Sequence, residues 1–161
     1  MRKSTAVTAV VAAALLTVVA GAAAPPDEKP THGFVAAASL EWKPGPAALP
    51  AGAKLAVLEG DPAQEGIFTI RLSLPAGYKL PPHWHPAYEH VTVISGAFHM
   101  GTGETFDSEH GHKLGVGDFG YMAPGARHFA WTESETVIQL HGMGPWQIYY
   151  VNPADDPRGR K

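Results

Sequence analysis

From Ala53 onward the chain alternates apolar and polar residues in short runs broken by glycine and proline. "GIFTIRLSLPAG" (66–77) and "ETVIQLHGMG" (135–144) have the two-residue period of strands with one buried face. "AKLAVLEG", "LPPHWH", "EHVTVISG", "AFHMGTG", "FGYMAPG", "RHFAWTES" and "WQIYYVN" repeat the theme at spacings of roughly ten residues. Eight or more short strands with turn residues between them predict an antiparallel sandwich or barrel. "FVAAASLEW" fits a short helix or an opening strand, "KPGPAALPAG" a loop, and "ETFDSEHGHKLGVGD" a polar connection. Past the amino end there is no long amphipathic helix and no repeat at the period of a solenoid.

The amino end follows a different pattern. Arg2 and Lys3 precede an apolar run from Ala6 to Ala20 and small residues at Gly21 to Ala24. That is the layout of a secretory signal peptide. The run is alanine-rich and short of the ~20 residues of a membrane span. Pro25 and Pro26 disfavour cleavage directly before them, which places it near Ala22. The expected organisation is therefore a signal peptide (1–22), a tether and N-terminal segment (23–49), a barrel (50–151) and a charged tail (152–161). The mature protein would be periplasmic or secreted, with no stable membrane insertion after cleavage.

Composition narrows the chemistry. Without Arg2 and Lys3 there remain 10 Lys and Arg against 15 Asp and Glu. A mildly acidic chain lacking basic clusters argues against nucleic acid as a partner. There is no cysteine, so no disulfide holds the exported domain, and any metal site has only nitrogen and oxygen ligands. Glycine and proline are abundant, but 45% apolar residues is too many for a disordered chain, so many tight turns are expected.

"LPPHWHPAYEHVTVISG" concentrates the candidate chemistry. His83 and His85 share one face of a strand, about 6.5–7 Å apart along it, and converge if the strand curves. Pro86 and Ala87 turn the chain, and an antiparallel return brings Glu89 back beside the two imidazoles. His128 in "APGARHFAW" follows a proline–glycine turn and is the candidate fourth ligand. Three neutral imidazoles and a carboxylate suit Fe, Mn, Ni, Cu or Zn.

These residues resemble the cupin superfamily. Gly77, His83, His85, Glu89 and Gly96 stand at the spacing of its first signature, and "GDFGYMAPGARH" (117–128) is similar to its second. Two positions depart from the pattern. Ala123 stands where proline is usual, with the proline moved to Pro124, and Thr132 stands where the longer motif has asparagine. The resemblance covers roughly residues 50 to 151. It implies an all-β, single-domain double-stranded β-helix or jelly-roll barrel of six to eight strands. It further implies one divalent metal on His83, His85, Glu89 and His128, and admits a homodimer. Relatives include dioxygenases, isomerases, decarboxylases and lyases, so the family does not choose the reaction. A non-catalytic module that binds or senses a small ligand or metal in the cell envelope is the alternative.

A six-coordinate ion with four protein ligands keeps two positions, which favours a substrate offering two oxygens. By strand parity, His141 and Gln139 are the candidates to relay a proton or bind the second oxygen. His90 and His99 should face outward, His110 and His112 should lie in a solvated loop, and His32 is in the tether. Arg127 and Phe129 should point away from the face shared by His128 and Ala130. Tyr121, Trp131, Trp146, Tyr149 and Tyr150 read as core residues.

Overall fold

Tandem prolines at 81 and 82 interrupt a strand that must nonetheless carry His83 inward, and the fold turns on how it does so. The computed structural model describes residues 32–159. The expected signal peptide and residues 23–31 lie outside the described residues, as do 160–161. Of the two units of the chain, Met1–Gly33 contributes only His32 and Gly33 to the description, and Phe34–Lys161 carries every element. Among the described residues no helix is long and apolar enough to cross a membrane.

Eleven strands form two antiparallel sheets: β1 (Lys43–Pro44), β2 (Lys54–Glu59), β3 (Gly66–Leu74), β4 (Lys79–Trp84), β5 (Glu89–Ser95), β6 (Phe98–Thr102), β7 (His112–Leu114), β8 (Phe119–Met122), β9 (His128–Thr132), β10 (Thr136–Gly144) and β11 (Tyr149–Tyr150). One sheet has the order β1-β2-β3-β10-β5-β8 and the other β11-β4-β9-β6-β7. This is the all-β jelly roll expected. "FVAAASLEW" makes a single 3₁₀ turn at Ala37–Ser39, and the presumed loop after it begins with the edge strand β1. The polar connection holds one element that its composition hides, the three-residue β7.

The alternating residues fill the space between the sheets. Phe68, Ile70, Leu72 and Leu74 from β3 meet Val91 and Val93 from β5 and Ile138 and Leu140 from β10. Tyr78, Phe98, Met100 and Ala130 close the core from the other sheet. Gly96 makes the tight corner between β5 and β6 possible. Its φ is 76°, and a Cβ there would sit 2.5 Å from the Glu135 carbonyl oxygen.

Register in β4 decides where the histidines point. Leu80 pairs with Ala130, but His83 pairs with His128, so β4 contains one extra residue between them. In an unbroken strand Leu80 and His83, three apart, would face opposite sides. The bulge falls at the prolines, which have no N–H to give the ladder, and returns His83 to the inner face. Thr132 anchors the far end of β9: its hydroxyl donates to the Pro75 carbonyl at 2.6 Å and accepts the Tyr78 amide at 3.2 Å.

Candidate metal centre

His83 and His128 are direct cross-strand partners on β4 and β9, with ring centroids 4.1 Å apart. His85 lies one residue past the end of β4, where the chain begins its corner, and its ring is 5.0 Å from that of His83 and 5.2 Å from that of His128. The corner is held from the second turn, since the Gly125 amide donates to the His85 carbonyl at 2.8 Å. One nitrogen from each imidazole lies within 4.8 Å of the others, and all three side chains are buried. Three histidines so placed can hold a metal ion. Glu89, the first residue of β5, enters from the opposite sheet. Its carboxylate oxygens lie 3.7 Å from His85 Nε2 and 3.0 Å from His128 Nε2.

Backbone carbonyls set the tautomers. His83 Nδ1 is 2.7 Å from the Pro81 oxygen, His85 Nδ1 is 2.7 Å from the Gln147 oxygen, and His128 Nδ1 is 3.0 Å from the Ala126 oxygen. A carbonyl can only accept, so each Nδ1 carries the hydrogen and donates it. On His83 and His85 this leaves Nε2 with a bare lone pair, and on His128 it leaves Nε2 turned to the Glu89 carboxylate. His83 Nε2 and His85 Nε2 are buried without a hydrogen-bond partner, while His128 Nε2 faces Glu89 Oε2 at 3.0 Å. Leaving polar atoms this way costs about 1–3 kcal/mol each. Histidine ligands of metal sites are characteristically oriented by a second hydrogen bond of this kind.

The electrostatics agree. Burial, followed by the neighbouring His128 and His85, pushes His83 down to about 3. Burial also pushes His85 down, against the pull of Glu89. Burial alone would raise the Glu89 carboxyl, but His128, His85 and His83 together outweigh it and bring it down to about 2. For His128, burial lowers the pKa, and the carboxylate of Glu89 more than reverses it. The cluster thus holds an ionised carboxylate and at most one imidazolium at neutral pH.

A cavity of about 260 Å³ opens onto this cluster and is lined by His83, His85 and Glu89 at one end. The remaining wall is mostly apolar, with Ile70, Leu72, Ile138 and Leu140 from the six-stranded sheet, and Gln147 and Arg158 are its polar exceptions. Trp146, expected in the core, lines the cavity and stacks flat on His85, with centroids 4.1 Å apart. Nothing in the local sequence marks that contact, because it joins a residue after β10 to one after β4. Tyr78 also lines the wall, its hydroxyl donating to the Pro50 carbonyl at 2.9 Å. Burial and nearby Tyr150 push its pKa up.

His141 and Gln139 are not in the cavity, which corrects their placement by strand parity. Ile138 and Leu140 take the inner face of β10, so the intervening residues point outward. Gln139 accepts a hydrogen bond from Arg71 on the outer face, and His141 stacks on His90, its partner across β5, with centroids 4.9 Å apart. Both phases of "TVIQLHG" carry apolar residues, which is why alternation alone misassigned them.

The other expectations divide. His90 faces outward, and His110 and His112 are exposed, with His110 against Asp107 at 2.7 Å. His99 lies on the outer side of its sheet but is buried there, stacked on Trp131. Arg127 pairs with Glu104 at 2.8 Å, and Phe129 packs on Phe106, both away from the metal cluster.

A family model described as the ChrR cupin-like domain matches residues 30–147. Among solved structures, a Methylibium petroleiphilum protein proposed to be an acetylacetone dioxygenase matches with a TM-score of 0.61, over 83% of this chain and 90% of its own, at 23% identity. The polyketide cyclase RemF from Streptomyces resistomycificus matches at 0.59, over 79% of this chain and 90% of its own, at 15% identity. A chain of the Rhodobacter sphaeroides complex of SigE with the anti-sigma ChrR matches at 0.50, over 66% of this chain and 51% of its own, at 20% identity. At these identities the likeness is one of fold. A search of the curated proteins returns no match.

Proposed function

The chain belongs to the ChrR cupin-like family, and from that premise we propose that it binds one divalent transition metal and uses it on a small organic molecule. The ligands are His83, His85, Glu89 and His128. The observation that carries this reading is the convergence of three buried, carbonyl-oriented imidazole Nε2 atoms within 4.8 Å of one another, with the Glu89 carboxylate 3.0 Å from one of them. An ion there would satisfy the orphaned Nε2 atoms of His83 and His85 and would take the place of the proton between His128 and Glu89. Fe, Mn, Ni, Cu and Zn all suit that donor set. Once bound, such an ion supplies Lewis-acid polarisation and, if redox-active, oxygen chemistry.

The chain's own residues define the substrate. A six-coordinate ion held by these four residues would leave room for two substrate oxygens, as in an α-hydroxyketone, a catechol or a keto acid. The apolar wall favours an uncharged hydrocarbon body behind them. Trp146 fixes the ring plane of His85 and forms part of the wall that excludes water. The cavity supplies no free proton-transfer group outside the ligand set: Tyr78 commits its proton to Pro50, and Arg158 is paired with Asp156. The reaction class, dioxygenase-like or of lyase or isomerase type, is left open by this lining, and the second reading is a module that binds or senses its ligand without turnover. Export, with trimming near Ala22, belongs to the proposal, and intact mass of the envelope fraction tests it.

The functional test combines metal analysis with a chelating probe. His128→Ala should lose metal as severely as His83→Ala, whereas His141→Ala and Gln139→Ala should keep it. Tropolone, which offers two oxygens, should perturb the spectrum of the loaded metal more strongly and at lower concentration than azide. Oxygen consumption with a catechol or hydroxyketone separates enzyme from module. Full metal occupancy in His128→Ala would overturn the site. Tropolone binding no tighter than azide would overturn the two-oxygen geometry.

A further inference from the structure

Most hydrogen-bonding side chains around the cavity are already engaged. The Nδ1 hydrogens of His83 and His85 go to the Pro81 and Gln147 carbonyls. The Tyr78 hydroxyl donates to Pro50, Arg158 donates to Asp156 and to the Ile148 carbonyl, and the Gln147 side chain accepts from the Tyr149 hydroxyl. Trp146 differs. Its ring lines the cavity, yet its indole Nε1 is buried and has no hydrogen-bond partner. Leaving such a donor unmade is costly, and a buried indole N–H ordinarily finds an acceptor. The ring is also held in place. It lies on His85 at an interplanar angle of 17° and packs on Phe68 at 5.8 Å, and the Trp146 backbone amide donates to the Pro62 carbonyl at 2.7 Å. Turning the N–H out to solvent would break the stack on His85.

We propose that the Trp146 Nε1–H donates a hydrogen bond to a carbonyl or enolate oxygen of the substrate, which makes Trp146 a substrate-binding residue that selects for such an oxygen. The inference rests on the reading of the cavity as a metal-dependent small-molecule site, and deepens it. The stack on His85 puts the indole at the same end of the cavity as the histidine cluster. An indole N–H donates and never accepts, so its partner is an oxygen lone pair, not an alkyl group or an ammonium. Water is a poor substitute, because a buried water needs two to four polar partners. Phe68 beside the indole and the aliphatic wall of Ile70, Leu72, Ile138 and Leu140 offer none. A ligand that sets a methylene against the indole edge leaves the N–H unpaired, whereas an oxygen there completes it. A site of this kind rejects the analogue lacking the oxygen more strongly than an apolar pocket rejects an extra methylene.

Nitrogen-15 NMR of the zinc-loaded full chain, titrated with the carbonyl-bearing chelator tropolone, tests the proposal. The chain has 4 Trp and therefore as many indole N–H resonances. Trp146→Phe keeps an aromatic ring against His85 and identifies, by its loss, the resonance of Trp146. That resonance should move downfield as tropolone binds, the direction of an N–H gaining an acceptor. The tropolone dissociation constant should rise about five- to tenfold in Trp146→Phe, the worth of one hydrogen bond, with zinc content unchanged. A Trp146 that only supports His85 would lose zinc or weaken tropolone without any indole shift. If the variant does not fold, the wild-type spectrum decides by itself, because one indole resonance must move. An indole spectrum unaltered at saturating tropolone overturns the proposal, as does a variant that binds tropolone with wild-type affinity. Zinc content of the same samples reports separately on the metal reading. A wild type that takes up no zinc refutes that reading, and the indole resonance of the stripped protein, titrated with tropolone, then decides the role of Trp146.

Discussion

Replacing His83 with leucine separates the stability of the fold from the demand of the metal. The imidazole is fully buried and makes one hydrogen bond, from Nδ1 to the Pro81 oxygen at 2.7 Å. Losing that bond costs about 1 kcal/mol. The substitution also removes the orphaned Nε2, whose burial costs about 1–3 kcal/mol in the metal-free chain. Leucine is of similar size and apolar, so the two effects nearly cancel. The metal-free variant should therefore match the metal-free wild type to within about 1 kcal/mol, a shift of roughly 3–5 °C in Tm for a chain of this length. The loaded proteins should differ far more. At a free metal concentration of 1,000 Kd the ion stabilises the wild type by about 4 kcal/mol, or roughly 12–20 °C, and the variant should lose most of that rise. Scanning calorimetry of chelator-stripped samples, titrated with metal, measures both quantities. A metal-free variant destabilised by 3 kcal/mol or more, on the order of a broken buried network, would show that His83 is a structural residue. A variant with an undiminished metal-dependent rise would remove His83 from the ligand set.

Two further outcomes follow from the same geometry. Below pH 6.5 the metal-free protein should lose stability: His83 is held down to about 3 when folded, so the unfolded chain takes the proton first, and the contribution present above 6.5 is lost as pH falls toward 3. His85 acts in the same direction. His128, with its pKa raised, contributes stability that is present below 6.5 and lost as pH rises through its folded value, so the optimum should lie near 6.5. Urea unfolding of stripped protein across pH 4–8 checks this, and a flat profile would contradict the burial of neutral imidazoles. Thr132→Val, which leaves the Pro75 carbonyl without its hydroxyl donor, should cost about 1–3 kcal/mol in urea unfolding while metal content stays unchanged. A loss below 0.5 kcal/mol would mean that Thr132 does not anchor β9.

The sequence by itself determined the strands with strict alternation, the corner between β4 and β5 and the identity of the clustered ionisable residues. Those features are local: a two-residue period sets the face, a proline–alanine corner reverses the chain, and Glu89 must then return beside His83 and His85. Other features depend on partners distant in the chain. The bulge at Pro81–Pro82 that turns His83 inward is defined only against β9, because a register shift exists only between two strands. Whether Ile138 and Leu140 or Gln139 and His141 faced the cavity was open while both phases of β10 carried apolar residues, and packing on Phe68, Ile70 and Val91 chose the first pair. The carbonyls that orient the imidazoles divide in the same way: Pro81 and Ala126 lie two residues from their histidines, whereas the Gln147 carbonyl reaches His85 from beyond β10. Trp146 reaches the same ring by the same route.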